Sequence, residues 1–503
     1  MHLEINDTDR TWPDRKGRCA RLLEVLVSGG DRRIQLDKQG RNQYYASAAP
    51  SDALAYGSST ISSISSHAFE QLVCRWRNRL DYPMSAADYT NGLDAIRAGL
   101  AAYFGLCEDS AIVFAASGTD LEYVGLAAAR DGRPITAVLL GRDEVGSGCV
   151  YSAAGRFFSE ETATGARVIA QAVIDPAFDG IELIDVAVRD ESGLPRTSAK
   201  IAAELSSHVE QAKAGGRRSV VHVVHGSKSG LTLPALAEVE RLVSAHGDAM
   251  TVVVDACQLR ITPATVRRYL ELGCIVLMTG SKFAGGPPFS GFALVPGRLR
   301  DSAMPLPPGL GRLAIRAEWP SDWPGADCLD VRGNFGLLLR LEAALIEMER
   351  FAALPAGRID EVSARFSHHV MGLVRRLELA EVPGVGGVSC LASGTLRTLD
   401  LSARWPECDF DAARLVHGLI ARHSRHWLGQ EIRLGQPVKT RRMSDGRIAG
   451  TLRLSLSMPL MAELAPLRDD LLDERLGGDM TLIGAAISAA TAATLGQDQP
   501  AAA

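Results

Sequence analysis

Short apolar runs alternate with amphipathic segments between about residues 90 and 300. The runs are rich in β-branched residues and include ITAVLL (135–140), SVVHVV (219–224), TVVVD (251–255) and CIVLMT (274–279). Between the runs lie segments with apolar residues at helical spacing, such as NGLDAIRAGLAAYFG (91–105) and LEYVGLAAARD (121–131). This alternation predicts βαβ units around a mostly parallel sheet that is buried on both faces.

The pattern changes after about residue 330. A long amphipathic helix is predicted over NFGLLLRLEAALIEMERFAA (334–353), and short strands are predicted at TLRTLDLS (395–402), EIRLGQPVK (431–439) and GTLRLSLSMPL (450–460). We therefore predict an α/β protein with a large domain and a smaller α+β C-terminal domain. The expected divisions are an N-terminal segment (1–85) contributing to the small domain and the active-site entrance, the large domain (86–330), the small domain (331–480) and an Ala-rich tail (481–503) whose end is disordered.

Composition narrows the class of protein. The 503 residues are 46% hydrophobic and 22% charged with a net charge of −5, which is typical of a soluble globular protein and lacks the basic stripe of a nucleic-acid binder. No apolar run approaches the ~20 residues of a membrane helix, and residues 1–18 lack the apolar core of a signal peptide. The nine cysteines form no CxxC pair and have no His partners at metal-ligand spacing. We expect a cytoplasmic protein with reduced thiols, no metal, and neither nucleic acid nor membrane as partner.

Charged residues follow two of the apolar runs. Asp255 ends one run, and the ordinary role of an aspartate at that position is to cap the next helix. Lys282 follows the next run, where a lysine is ordinarily a solvated loop residue. Ligands of parallel sheets bind at the carboxyl ends of the strands, so the two side chains can hold two sides of one planar cofactor. Pyridoxal 5′-phosphate (PLP) needs such a pair, a lysine for the Schiff base and an acid for the pyridinium nitrogen.

PLP also needs a phosphate site. Ser117, Gly118 and Thr119 stand between a predicted strand and a predicted helix, where free backbone N–H groups and the helix dipole favour an anion. Taken alone the turn is also a good helix cap, and Ser281 can add a hydroxyl to the same phosphate. The order of phosphate turn, Asp and Lys along one α/β lobe is the plan of fold-type I PLP enzymes.

The chain resembles the class V aminotransferase group of that fold, which includes cysteine desulfurases, alanine–glyoxylate aminotransferases and kynureninase. VDACQ (254–258) resembles the Asp-x-x-Gln pattern, TGSKFAGGPPFSGFALV (279–295) the Ser/His-Lys segment, HGSKSGLTLP (225–234) the segment before the Asp strand, and LRLSLSMPL (452–460) the stretch with the substrate-binding arginine. The resemblance implies a seven-stranded-type large domain, Asp255 on the pyridine nitrogen and Gln258 near the ring hydroxyl. It also implies His225 in the cofactor site and Arg453 on the substrate α-carboxylate.

Two features depart from that group. Val438 stands where one branch of the cysteine desulfurases has its catalytic thiol, and Cys390 is a candidate replacement only if its loop reaches the cofactor. Relatives often stack a His or an aromatic ring on the cofactor, whereas the corresponding region here (141–158) offers small residues, with Tyr151 and Phe157 some way downstream. The stacking group is therefore not assigned, and an open face would leave room for an unusual or bulky substrate.

Two assignments keep a rival interpretation. Lys228 is the alternative Schiff-base lysine, and Lys282 is preferred because it follows Asp255 by one βα unit. The Ser-rich stretch YGSSTISSISSHAF (56–69) is either a solvated linker or a substrate loop that crosses a homodimer interface, with Tyr56 and Thr60 as its substrate-binding residues. The resemblance implies active sites shared between two subunits.

The expected activity is that of a PLP-dependent, aminotransferase-like enzyme on a small α-amino acid, with Lys282 taking the Cα proton. The alternative is a PLP-dependent lyase or synthase that carries out β- or γ-elimination or replacement, including a role in specialised metabolism. A non-catalytic PLP-fold protein is less favoured, since both Asp255 and Lys282 are present.

Overall fold

The computed structural model describes residues 15–57, 61–77, 79, 82–384 and 391–496. The strands in this part of the chain are β1 Leu54–Tyr56, β2 Ala111–Ala115, β3 Ile135–Leu140, β4 Glu182–Val186, β5 Arg218–His225, β6 Thr232–Leu233, β7 Met250–Asp255, β8 Ile275–Thr279, β9 Gly291–Val295, β10 Ala380–Glu381, β11 Leu396–Asp400, β12 Ile432–Leu434 and β13 Thr451–Ser455. The α-helices are α1 Arg15–Leu26, α2 Ser66–Trp76, α3 Ala86–Phe104, α4 Gly118–Ala129, α5 Cys149–Ser152, α6 Ser198–Ala214, α7 Leu236–His246, α8 Pro263–Glu271, α9 Gly297–Asp301, α10 Phe335–Ala352, α11 Ala356–Arg376, α12 Leu391–Thr395, α13 Phe410–Leu428, α14 Met458–Leu464 and α15 Asp469–Leu495.

The main sheet has the order β2-β9-β8-β7-β5-β3-β4, with the short strand β6 added against β5. Strands β8, β7, β5, β3 and β4 are parallel, whereas β9 runs antiparallel to both of its neighbours. Alternate residues of β7 enter different cores, since Val252 and Val254 pack on one face and Val253 on the other. The predicted α/β fold with a mostly parallel sheet buried on both faces is confirmed, and the strand that follows the Gly/Pro loop is β9.

The C-terminal region forms two smaller sheets. Strands β10, β11 and β13 make an antiparallel sheet, and β12 pairs in parallel with β1 from the N-terminal segment, Leu54 opposite Ile432. A bridge between Gly435 and Arg453 joins the end of β12 to β13. The strands predicted after residue 395 are therefore present, and the N-terminal segment supplies a strand to this part of the fold.

Arg340 on α10 ties the N-terminal segment to the large domain. Its guanidinium is fully buried and donates to the carbonyl oxygens of Phe289 (2.8 Å), Leu26 (2.7 Å), Ser28 (2.7 Å) and Gly29 (3.0 Å). Burial lowers the pKa of Arg340 to about 9. The four carbonyls replace the water that a buried cation loses, so α10 holds the chain around Gly29 beside the Phe289 loop.

Helix α15 differs from the expected Ala-rich tail. The division expected after residue 480 falls inside this helix, because Ile483, Ala486, Ile487 and Ala490 recur at helical spacing and are buried against α11 and α13. The helix is also long and apolar enough to cross a membrane, yet more than half of its apolar window is buried inside the protein, as expected of a core helix. Its small residues thus serve close helix packing.

Candidate active site

The carboxyl ends of β7 and β8 and the N-terminus of α4 surround a cavity of about 240 Å³. The sequence-predicted residues that line it are Ser117, Gly118, Thr119, Asp255, Gln258, Ser281, Lys282 and Arg453, and the rival lysine, Lys228, lines it as well. These residues come from segments up to 336 positions apart (453 − 117). The strand order of the main sheet brings the ends of β7 and β8 together, and β13 of the small antiparallel sheet adds Arg453.

Asp255 and Lys282 stand at the ends of adjacent parallel strands. Asp255 is the last residue of β7 and pairs with Leu277 of β8, and Lys282 follows β8 after the turn at Gly280. The Asp255 Oδ1 atom accepts a hydrogen bond from the backbone N–H of Cys257 at 2.9 Å, which fixes the carboxylate at the strand end. Gln258 Oε1 accepts from Arg260 Nη1 at 3.1 Å, so its side chain is also held in place.

Ser117 caps helix α4 at the side of the cavity. Its hydroxyl accepts from the backbone N–H of Asp120, and the N–H groups of the first helical turn have no partners within a helix. A Cβ atom at Gly118 would lie 2.9 Å from Cys257 Sγ and 3.2 Å from Thr279 Cγ2, so only glycine fits between the turn and the sheet. With the Ser281 hydroxyl, 3.4 Å from Thr279 Oγ1, the turn has the donors and the space that a phosphate requires.

Arg33 is a cavity residue that the sequence did not indicate. Its guanidinium donates to both carboxylate oxygens of Asp31 and, through Nη2, to Ser117 Oγ at 3.3 Å. The guanidinium carbon also lies 5.1 Å from the ring centre of Phe158 and 4.8 Å from that of Phe289. The N-terminal segment thus places a cation beside the Ser117–Thr119 turn. The sequence around Arg33 contains no local pattern that predicts this contact.

Asp120 stands beside this cation in the first turn of α4. It is buried, and burial raises the pKa of its carboxyl to about 6 against the opposing effect of Arg33. The raised pKa reduces the negative charge at the end of α4 in acidic and near-neutral solution, where an anion would bind.

Arg453 and Lys228 lie on the far wall of the cavity. Arg453 donates through Nε to the Gln436 carbonyl at 2.8 Å and through Nη1 to the Lys228 carbonyl at 3.0 Å. Burial lowers the pKa of Lys228 to about 8, and the positive charges of Lys282 and Arg453 add to that effect. Burial likewise lowers the pKa of Arg453 to about 10.

Glu144 lines the cavity but is engaged by other residues. Its carboxylate accepts from Ser227 Oγ (2.6 Å), Ser229 Oγ (2.6 Å) and Ser229 N (3.0 Å), and it pairs with Arg189 at 3.2 Å. Glu144 and Arg189 also border a second cavity of about 640 Å³ that extends toward Lys439. This buried network holds the segment of Lys228 in place.

The face for which no stacking residue was predicted is lined by small residues. Val145, Gly146, Ser147 and Cys149 border the cavity, whereas Phe157 packs in the core beneath. The aromatic residues in the described lining are Tyr44 and Phe289, from other segments. Cys149 and Cys257 are thiols that the sequence did not indicate as cavity residues, and burial raises the pKa of each well above its usual value, so both are protonated.

The structure corrects the expectation for Tyr56. Its phenol is completely buried in the small-domain core, donates to Asp479 Oδ2 at 2.7 Å and stacks on Phe366 with 5.8 Å between ring centres. A side chain enclosed in its own subunit cannot contact a substrate in either subunit of a dimer. Thr60, the other expected substrate residue, lies outside the described residues, as does Cys390.

His225 also differs from its expected position. It ends β5, but its ring is buried outside the cavity lining, with Nδ1 3.2 Å from the Tyr269 hydroxyl. Burial lowers the pKa of His225 to about 4, so the ring is neutral at physiological pH. Val438 is buried too, and its backbone N–H donates to Thr451 Oγ1 at 2.9 Å, away from the cavity.

No known protein-family model matches the sequence, and no curated protein matches it. Solved structures are similar in fold. The cystine C-S lyase C-DES, in complex with its reaction product cysteine persulfide, is 16% identical with a TM-score of 0.52, over 84% of this chain and 97% of that one. The cysteine desulfurase of Thermococcus onnurineus NA1 is 15% identical with a TM-score of 0.51, over 85% and 95% of the two chains.

A third similar structure is the pyridoxamine-pyruvate aminotransferase of Mesorhizobium loti. It is 16% identical with a TM-score of 0.50, over 89% of this chain and 98% of that one. The predicted α/β fold is therefore confirmed, since these three solved structures share it. At these identities the likeness establishes the fold, and the activity is argued from the cavity.

Proposed function

We propose that the protein is a PLP-dependent enzyme acting on a small α-amino acid, with an aminotransferase-like reaction. The observation that carries the proposal is that one cavity is lined by a lysine, a carboxylate on the adjacent parallel strand and an anion-binding helix N-terminus. These are the parts that the cofactor's aldehyde, ring nitrogen and phosphate require. Three fold relatives carry names of amino-acid or amine enzymes, which agrees with this class of substrate.

Different cavity residues would bind different parts of the cofactor. Ser117, Gly118, Thr119 and Ser281 would hold the phosphate, Asp255 the ring nitrogen and Gln258 the ring hydroxyl. His225 has no direct role, because its ring lies outside the lining. When bound, PLP supplies the electron sink that makes the substrate Cα–H acidic.

Lys282 would bind the cofactor covalently and, once the substrate amine has displaced it, accept the Cα proton on Nζ. Arg453 would hold the substrate α-carboxylate, since its guanidinium lines the cavity and is fixed by two backbone carbonyls. Arg453 is buried and Lys282 is half-buried, so little water would reach either group and their electrostatic contacts would be strengthened.

A lyase of β- or γ-elimination or replacement is the second candidate, in specialised metabolism or elsewhere. Two buried thiols, Cys149 and Cys257, line the cavity. Their soft, weakly polar sulfur atoms suit the side chain of a sulfur-containing amino acid.

The homodimer and the cytoplasmic location are parts of the same proposal. Reduced thiols support the location, because all the cysteines in the described residues are free. The dimer rests on the sharing of active sites between subunits that the family resemblance implies.

The reaction is tested by supplying PLP to the purified protein and screening amino acids with and without a keto-acid acceptor. Transamination predicts stoichiometric pyridoxamine phosphate without acceptor and turnover with it. Release of ammonia and a keto acid without acceptor would instead favour the lyase. Lys282→Ala is the control, and a rate unchanged in that variant would contradict both candidates.

A further inference from the structure

The cavity lining carries more positively charged than negatively charged side chains. Its described lining holds the cations Arg33, Lys228, Lys282 and Arg453 but only the carboxylates Glu144 and Asp255. Arg33 is already paired with Asp31 outside the lining, at 2.6 Å. Glu144 is paired with Arg189 and bonded to two serine hydroxyls.

Once Lys282 is assigned to the proposed cofactor, the lining cations that remain without an ion pair among the described residues are Lys228 and Arg453. Arg453 donates to the Lys228 carbonyl at 3.0 Å, so the two residues are neighbours on one wall. Among the residues that the structure describes, no carboxylate oxygen lies within 4.0 Å of either cationic group. Asp255 and Lys282 are the groups that the proposed cofactor itself would use.

Two neighbouring cations, of which Arg453 is buried and Lys228 is half-buried, are unfavourable until an anion joins them. Burial lowers the pKa of both groups, and the positive charge of Arg453 lowers the pKa of Lys228 further, while Glu144 opposes the shift of each. One α-carboxylate would compensate Arg453 alone. The positive charge of Lys228 would remain uncompensated beside the bound ligand.

We propose that the substrate is an amino acid with a second acidic group in its side chain, and that Lys228 binds this group while Arg453 binds the α-carboxylate. The inference rests on the proposed function for the amino-acid class, but the cation pair itself does not depend on the cofactor. Lys228 is then a specificity-determining residue rather than a second Schiff-base lysine.

The test is calorimetric binding of two unreactive ligands, succinate and propionate, to the purified protein loaded with PLP. Succinate should bind at least about tenfold more tightly, which corresponds to the ~1.4 kcal/mol of one modest charge contact. Lys228→Met should abolish the difference and leave propionate binding unchanged. Lys228→Arg, which keeps the charge, should retain most of it, and neither variant should unfold below the wild-type temperature.

The pH dependence gives an independent readout. An ammonium group is charged below its pKa, so succinate affinity should fall as the pH rises through about 8, the region in which the Lys228 amine loses its proton. Propionate affinity should stay constant there. Lys228→Arg should remove the pH dependence, because its guanidinium stays charged.

Equal affinities for succinate and propionate, or wild-type succinate binding by Lys228→Met, would overturn the inference. The same titrations on protein without added PLP separate this result from the proposed function. A succinate preference that depends on Lys228 in a protein that never binds PLP would refute the cofactor proposal alone. A protein that binds PLP but shows no such preference would refute the cation pair alone.

Discussion

At the residue scale, the candidate site depends on a few close approaches. Gly118 lets the Ser117–Thr119 turn lie against Cys257 and Thr279, and the Ser117 hydroxyl connects that turn to Arg33. Asp255 and Lys282 owe their proximity to the pairing of β7 with β8. Such contacts tolerate little added volume, because β8 is buried throughout and β7 is buried up to the residue before Asp255.

Gly118→Ala tests the turn directly. The added methyl would overlap Cys257 Sγ and displace the first turn of α4, so we expect PLP affinity to fall about tenfold to a hundredfold, from an overpacking cost of ~1–3 kcal/mol. The measurement is a PLP titration followed by visible absorbance. Gly357→Ala is the matched control, since nothing lies within 4 Å of a Cβ atom there, and it should bind PLP normally.

Equal PLP affinity in Gly118→Ala and Gly357→Ala would show that the Ser117–Thr119 turn does not bind the cofactor phosphate.

At the element scale, short strands determine where the N-terminal segment lies. Strand β1 is only three residues long, yet it pairs with β12 and carries Tyr56 into the small-domain core. The Ser-rich composition that follows Tyr56 suggested a substrate loop, whereas the position of Tyr56 is determined by its pairing with Leu434, 378 positions later (434 − 56). Composition alone does not reveal such a long-range pairing.

The variant Tyr56→Phe distinguishes a structural role of Tyr56 in the small-domain core from a role in substrate binding. Loss of the hydrogen bond to Asp479 should lower the free energy of unfolding by about 1 kcal/mol, with cofactor binding and turnover unchanged. The effect stays small because Arg475 continues to pair with Asp479 at 2.8 Å. Urea denaturation measures the change in the free energy of unfolding. A loss of turnover at wild-type stability would instead show that Tyr56 contacts the substrate.

At the scale of the whole molecule, the sheet order explains which features were predictable. The strands, their mostly parallel arrangement and the residues at the ends of β7 and β8 follow from local patterns, so Asp255, Lys282 and the Ser117 turn were identified from the sequence. Arg33 and Gln436 reach the cavity from distant segments and have no local signal. His225 was misplaced because the end of a strand does not tell which way a side chain points.

Domain assembly also fixes the charge of the site. Arg453 comes from β13 of the small sheet and Lys228 from the loop after β5 of the main sheet, and they meet only where the two sheets adjoin. The cation pair is therefore a property of the assembled chain, and the substrate class inferred from it could not be predicted from either segment.

The most direct test of the central claim is the chemical location of the cofactor. The protein is mixed with PLP, reduced with borohydride and digested, and the modified peptide is identified by mass spectrometry. We expect the label on Lys282, with none on the Lys282→Ala variant and full labelling of Lys228→Ala. A label on Lys228, or no label on the wild-type protein, would contradict the account.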